Sequence, residues 1–128
     1  MIEPRVWVCP PDLPKGATPS AKHGCVQVKG LVDTGAEFTI IHKKHLKGFR
    51  RKGTSTDVGC AGKGSFSGQD YETVVQAPGC RPVKLCAVAI GTQPVAGVDM
   101  LLGYDYLKAA KATINCATGR LSCKGHVA

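Results

Sequence analysis

Short apolar runs separated by glycine and proline dominate the hydrophobic pattern of this chain. Cys25–Lys29 alternates between apolar and polar positions, which is typical of a half-buried strand. Tyr104–Lys111 has the spacing of a short helix. The remaining β-rich runs are Leu31–Val32, Phe38–Ile41, Tyr71–Gln76, Val83–Ile90, Val98–Leu102 and the two halves of a glycine-turned hairpin, Thr113–Cys116 and Arg120–Cys123. The pattern predicts an all-β fold with one short C-terminal helix.

The N-terminal residues differ from the rest of the chain in composition. Five prolines fall between Pro4 and Pro19, which excludes a continuous helix or a central strand. Within this stretch Arg5–Val8 is the segment that can pair, as an edge strand. We therefore divide the chain into an arm or polyprotein junction, residues 1–21, and a single domain, residues 22–128.

Length and composition agree with one small β domain. The chain has 128 residues, is 43% hydrophobic and contains 16 glycines and 8 prolines, so it can form a core without metal or disulfide staples. Its longest uncharged apolar run, Leu85–Ile90, is far shorter than the roughly 20 residues of a membrane-spanning helix. No membrane partner is expected.

The net charge of +8 is concentrated partly in Lys43–Lys52, where six of ten residues are basic. The favoured interpretation is a solvated loop face. The alternative is a patch that weakly attracts RNA or another polyanion. Phe49 is the single aromatic residue there, which gives base stacking little support.

The cysteine pattern predicts reduced thiols in an intracellular or polyprotein context. Seven is an odd number, no CxxC pair occurs, and the N-terminus does not have the form of a signal peptide. Cys116, Cys123 and His126 lack the close spacing of a zinc site. No metal or cofactor is expected.

Leu31–Glu37 is the segment with the clearest chemistry. Asp33 follows two apolar strand residues, Gly35 allows a tight turn, and the Thr34 hydroxyl can bond across the loop. Asp33 would then lie at the floor of a cleft. Two carboxylates that share a proton can act as general acid and base together, but Asp-Thr-Gly occurs once in this chain. That chemistry therefore requires a homodimer with the two Asp33 side chains on its axis.

Asp33-Thr-Gly-Ala resembles the active-site motif of retroviral-type aspartic proteases (retropepsins). Met100-Leu-Leu-Gly-Tyr-Asp105 is similar to their second signature, and the resemblance covers about residues 22–123. It implies a retropepsin-like acid protease fold with a glycine-rich flap hairpin and an endopeptidase that cuts its own polyprotein at extended, largely apolar sites. The tail, Tyr104 to Leu121, is similar to that of proteases from LTR retrotransposons and related endogenous elements. Cytoplasm or a virus-like particle is the implied location.

The resemblance also implies a set of site residues. Asp33, Thr34 and Gly35 would be catalytic, and Gly59–Gly68 would be the flap. The substrate-binding residues would be Ala36, Glu37, Cys60, Ala61, Gly62, Lys63, Gly64, Leu101 and Leu102. A cysteine in the flap, Cys60, would be exposed to oxidation.

This chain departs from the family pattern at two positions. Lys63 stands near the flap tip, where many members have an aliphatic residue. Tyr104 occupies the position where members often have an arginine paired with an acid, for which Glu37 is the candidate here. Either Arg5–Val8 or Arg120–Cys123 could then supply interface strands, and the sequence leaves that choice open.

The carboxylate of Asp105 has a structural interpretation. It is expected to cap the short helix or to bond to local backbone, not to act as the second catalytic acid. Two alternatives to the enzyme stay open: a non-catalytic retropepsin-like module for dimerisation or peptide binding, and a basic nucleic-acid-binding domain. The enzyme predicts a bell-shaped, acid-leaning pH profile, because the carboxylate pair must hold one proton.

Overall fold

The computed structural model describes residues 3–60, 64–118 and 120–123. These ranges contain one α-helix, α1 (Tyr104–Ala109), and short 3₁₀ segments at Ala21–His23 and Lys43–Leu46. The strands are β1 (Arg5–Cys9), β2 (Val26–Val32), β3 (Ile40–His42), β4 (Arg51–Cys60), β5 (Gly64–Gln76), β6 (Val83–Ile90), β7 (Met100–Leu102), β8 (Ala112–Asn115) and β9 (Arg120–Cys123). The prediction of a mostly β chain with a short late helix is confirmed. No helix in the described ranges is long and apolar enough to cross a membrane.

Seven strands form a sheet that closes on itself like a barrel. The strand order is β1-β2-β7-β3-β6-β5-β4, and β1 pairs with β5 as well as with β2. Trp7 lies opposite Gln27 on one side and Gln76 on the other. The prediction of an edge strand at Arg5–Val8 is therefore wrong. Val6 and Val8 are completely buried because this strand completes the ring.

Strand β7 lies between β2 and β3. It runs parallel to β2, with Leu101 opposite Leu31, and antiparallel to β3, with Leu101 opposite Ile40. Side chains alternate along a strand, so Leu101 and Ile40 belong to one buried cluster. Met100 and Leu102 point to the opposite side, into the main core. The order of these three strands places the β2–β3 loop beside the end of β7.

Helix α1 covers the main core. The Tyr106 ring is fully buried, and its hydroxyl accepts a hydrogen bond from the Ala77 N–H at 3.0 Å. The same hydroxyl donates to the Arg81 carbonyl at 2.8 Å. Burial raises the pKa of Tyr106. One side chain thus joins the helix to the turn between β5 and β6.

Strands β4 and β5 form a long antiparallel hairpin. Pairing continues to Cys60 opposite Gly64. The predicted flap residues Ala61, Gly62 and Lys63 lie outside the described residues. For Cys60 the structure describes the backbone only. Gly68 of β5 lies close to β6, and a Cβ there would overlap a Val88 methyl carbon.

Two disulfides contradict the expectation of reduced thiols. Cys9 bonds to Cys25, and Cys80 bonds to Cys123. The partners are 16 and 43 residues apart in the sequence. They meet only when the chain folds, so the spacing of the cysteines does not predict the pairing. The three residues considered above for a zinc site are not brought together as ligands. Cys123 is bonded to Cys80, and Cys116 is a free, exposed cysteine. His126 lies outside the described residues.

Candidate active site

Asp33 stands directly after β2, and its loop is tied to the end of β7 by the backbone. The Asp33 N–H donates to the Leu102 carbonyl at 3.1 Å, and the Tyr104 N–H donates to the Ala36 carbonyl at 2.7 Å. Within the loop the Gly35 N–H donates to Oδ1 of Asp33 at 2.9 Å. The half-buried carboxylate is thereby fixed in orientation, and no described residue donates a hydrogen bond to its Oδ2.

Gly103 allows this close contact between loop and helix. A Cβ at Gly103 would lie 2.5 Å from the carbonyl carbon and oxygen of Phe38. The Gly103 N–H donates to the Thr39 hydroxyl at 3.2 Å, and that hydroxyl donates to Asp105 Oδ1 at 2.7 Å. The buried Thr39 also donates its N–H to the same carboxylate. A polar cross-link thus holds the two motif segments together.

Asp105 has the structural role expected of it. Its carboxylate accepts a hydrogen bond from the backbone N–H of Tyr106 at 2.7 Å, so the predicted bond to local backbone is confirmed. The N-cap position itself belongs to Gly103. Asp105 therefore connects helix α1 to the Asp33 loop rather than facing a reacting group.

The Asp33 loop forms one wall of a cavity of about 400 Å³. Apolar side chains of Ile40 and Leu101 line its floor. Strand β4 contributes Asp57, Val58 and Gly59 to the lining. The loop before β7 adds Pro94 and Val95, and the Asp33 loop adds Gly35, Ala36, Glu37 and Phe38.

The structure brings together only part of the predicted site. Asp33, Gly35, Ala36, Glu37 and Leu101 line the cavity. Thr34 is exposed on another surface, beside Tyr104 and Leu107, and no described hydrogen bond engages its hydroxyl. Leu102 lies in the core because it alternates with Leu101. Cys60 and Gly64 pair at the far end of the hairpin, beyond Gly59.

Several lining residues were not predicted from the sequence. Asp57 and Val58 directly precede the glycine-rich segment that was predicted to be the flap. A flap that folds over the Asp33 loop would bring them to the cavity, so their position in the sequence could have indicated them. Ile40 and Ile41 are adjacent and both buried. Because side chains alternate along a strand, the sequence could have assigned them to opposite sides of the sheet, with Ile40 on the cavity side. Pro94 and Val95 carry no comparable signal, since only the barrel places their loop against the cavity.

Asp99 anchors the loop that contains Pro94 and Val95. Its carboxylate bonds to His45 Nε2 at 2.9 Å and to Gln93 Nε2 at 2.8 Å, and the Lys44 ammonium is 3.3 Å away. Burial by itself would raise the pKa of Asp99, but the hydrogen bonds from His45, Gln93 and Lys44 outweigh it and lower this pKa to about 2. The cavity wall is therefore held by an ionised carboxylate.

The cavity is locally acidic although the chain is strongly basic. Asp33, Glu37 and Asp57 all line it, and among the residues that the structure describes no lysine, arginine or histidine does so. Among the described residues no group of three or more His, Cys, Asp or Glu side chains is close enough to hold a metal ion. The chemistry available from these residues is proton transfer by carboxylates.

The comparisons with known proteins find similarity at the level of the fold. No family model matches the sequence, and no curated protein matches it. The fold is similar to the crystal structure of the retroviral protease-like domain of Ddi1 from Leishmania major. The sequence identity is 15% and the TM-score is 0.48, over 98% of this chain and 91% of that chain.

Proposed function

We propose that this protein is an aspartic endopeptidase of the retropepsin type, active as a homodimer. The observation that carries the proposal is the fixed position of Asp33 on the cavity wall, with Oδ1 held by the Gly35 N–H. The backbone bonds to Leu102 and Tyr104 add support, because they join the two motif segments that resemble the retropepsin signatures.

The mechanism needs two Asp33 carboxylates that share one proton. The ionised carboxylate takes a proton from a water molecule, whose oxygen attacks the peptide carbonyl carbon. The protonated carboxylate gives its proton to the carbonyl oxygen, and the resulting gem-diol collapses with transfer of a proton to the leaving amine. One chain supplies one Asp33, so the second copy contributes a catalytic residue.

The surface around Thr34 supports a second copy at this position. Thr34 and Tyr104 are exposed beside Leu107 and Ile114, and Tyr104 is 52% exposed although it is large and aromatic. A two-fold axis near Thr34 would cover this face and bring the Asp33 loops together. Of the two candidate interface strands, β1 has both edges paired within its own chain, which favours β9.

The cavity and hairpin suggest how a peptide would bind. An extended peptide would lie between the Asp33 loop and strand β4, with apolar side chains against Ile40, Val58 and Leu101. The β4–β5 hairpin would act as the flap. Cleavage of the chain's own polyprotein, in a retroelement or retrovirus-like particle, is the substrate context that the motif resemblance favours.

The test is cleavage of a peptide library by the full chain, across pH and protein concentration. Asp33→Asn should abolish cleavage, while Asp12→Asn, the same change at an exposed turn, should leave it unchanged. Activity should fall more steeply than linearly on dilution. Adding excess Asp33→Asn protein should inhibit the native chain, because mixed dimers hold one catalytic aspartate.

Two results would contradict the proposal. A folded, dimeric chain that cleaves nothing would identify a non-catalytic module. Salt-dependent RNA binding that is indifferent to Asp33→Asn, without cleavage, would favour the nucleic-acid-binding alternative. Ion pairs of Lys44 with Asp99 and of Arg50 with Glu72 reduce the charge that the basic stretch offers to that alternative.

A further inference from the structure

A second concave surface lies away from the Asp33 cavity. Two adjoining cavities, of about 810 and about 280 Å³, share four lining residues and form one elongated groove. One wall is the segment 11–19, and the other is formed by β5, β6 and the turn between them. We call it the arm groove. It shares no lining residue with the Asp33 cavity.

Both walls of the arm groove are anchored covalently. The disulfide Cys9–Cys25 closes the loop that contains the segment 11–19. The disulfide Cys80–Cys123 ties the facing turn to β9, and Gln76 Nε2 donates to the Cys80 carbonyl at 2.9 Å within that turn. A groove with walls fixed in this way loses little conformational entropy when it binds a ligand.

The lining is apolar with cations and without acids. Proline rings and aliphatic side chains provide most of the surface, and Trp7 lies in the smaller cavity. Lys15 and Lys84 line the larger cavity, and Arg5 lines the smaller one. No Asp or Glu lines either cavity, and none of these three cations belongs to an ion pair within the described residues.

The position of Lys84 places its charge next to apolar surface. Lys84 is directly opposite Val74 in the β5–β6 ladder, so both side chains project to the same side of the sheet. A ligand that buries an apolar group against Val74 would bring a neighbouring negative charge within reach of the Lys84 ammonium. Lys15 offers a second such contact from the opposite wall.

We infer that the arm groove binds an extended acidic peptide, in which aliphatic side chains alternate with Asp or Glu. The elongated shape fits a polypeptide better than a compact anion, and the cations at both ends complement carboxylates. The concave walls are mostly proline and aliphatic, which suits aliphatic side chains more than stacked bases. This binding does not depend on the proposed protease activity.

The test measures binding of a labelled peptide of alternating Leu and Glu residues to the full-length Asp33→Asn chain, which removes cleavage from the readout. Lys15→Glu combined with Lys84→Glu should weaken binding by at least about tenfold. The matched control combines Lys43→Glu with Lys47→Glu, which changes the net charge equally at exposed lysines outside the groove. It should alter affinity by less than about twofold.

A second variant tests the shape of the groove without changing its charge. Thr18→Trp should fill the place where the two cavities meet and weaken binding as strongly as the charge reversal. Amide chemical shifts of Gln76, Gly79 and Lys84 should change on peptide addition. Circular dichroism should show that every variant keeps the native β spectrum.

Four outcomes would overturn the inference. Equal binding of a peptide with Gln in place of Glu would show that the negative charges of the peptide do not contribute to its affinity. Equal losses in both lysine pairs would indicate non-specific attraction by a basic protein. Shift changes confined to the Asp33 cavity would place the peptide there. Binding of laurate without binding of the peptide would assign the groove to a different amphipathic anion.

Discussion

At Gly103 two backbone segments approach more closely than any side chain allows. The nearest atoms of Phe38 are 2.5 Å from the position of a Cβ, and both are backbone atoms that cannot rotate away. The second motif of the sequence therefore has a steric explanation: its glycine lets the Asp33 loop pack on the start of α1.

Gly103→Ala should lower the free energy of unfolding by on the order of 3 kcal/mol, because the loop or helix must shift to remove the overlap. Urea denaturation measures the change. Gly91→Ala is the matched control, since its Cβ would find only the flexible end of Lys43 at 3.8 Å. Equal stability of the two variants would contradict the steric argument.

Helix α1 is held in place by one buried hydroxyl as well as by apolar packing. Tyr106 satisfies the Ala77 N–H and the Arg81 carbonyl, both part of the turn between β5 and β6. A helix of six residues would be marginal in isolation. Its position therefore depends on this connection and on the core below it.

Tyr106→Phe should cost about 1–3 kcal/mol of unfolding free energy, because it leaves the two backbone groups of that turn without their partner. Thermal and chemical denaturation would both report it. Tyr104→Phe, the same change at a side chain that is 52% exposed, should be nearly neutral. A neutral Tyr106→Phe would mean that water replaces the hydroxyl.

The elements around Asp99 make stability depend on pH. The pKa of this carboxyl is lowered from 3.8 to about 2 by its hydrogen bonds from His45, Gln93 and Lys44, which outweigh burial. A lowered folded-state pKa stabilises the protein above the unfolded value and stops doing so as pH falls through the folded value. The contribution, about 2 kcal/mol near neutral pH, should fall by about half by about pH 3.

The comparison of native chain and Asp99→Asn checks this expectation. Their difference in unfolding free energy should be largest near neutral pH and should shrink as the solution is acidified below pH of about 4. A difference that stays constant with pH would exclude ionisation of Asp99 as its source.

On the scale of the whole molecule, ring closure and disulfides fix the arm to the barrel. Strand β1 joins β2 to β5, and each disulfide connects segments that are distant in sequence. The N-terminal segment is therefore part of the folded barrel over Arg5–Cys9.

Replacing Cys80 and Cys123 together by alanine should lower the unfolding free energy by about 4 kcal/mol, and replacing Cys9 and Cys25 by about 3 kcal/mol. The Cys80–Cys123 disulfide closes the longer loop, so it removes more conformational entropy from the unfolded chain and stabilises the folded protein more. Non-reducing mass spectrometry should find both pairs, and Cys116→Ala should leave stability unchanged at its exposed position. Finding these four cysteines as free thiols would contradict the pairing.

The sequence by itself determined the elements of this protein that depend on local pattern. Alternation and β-branching located β2, β6 and the β8–β9 hairpin, and helical spacing located α1, because each depends on neighbouring residues. Asp33 and Gly103 were visible as motifs for the same reason: a turn after an apolar strand and a glycine after two leucines are local features.

Only the tertiary structure decided which of these elements meet. The same period of two that marks a strand cannot say which face turns inward, so Leu101 reached the cavity while Leu102 entered the core. The inclusion of β1 in the ring, both disulfides, and the walls supplied by Asp57 and Pro94 depend on pairings between distant residues. Such contacts follow from the closing of the barrel as a whole, and no local pattern records them.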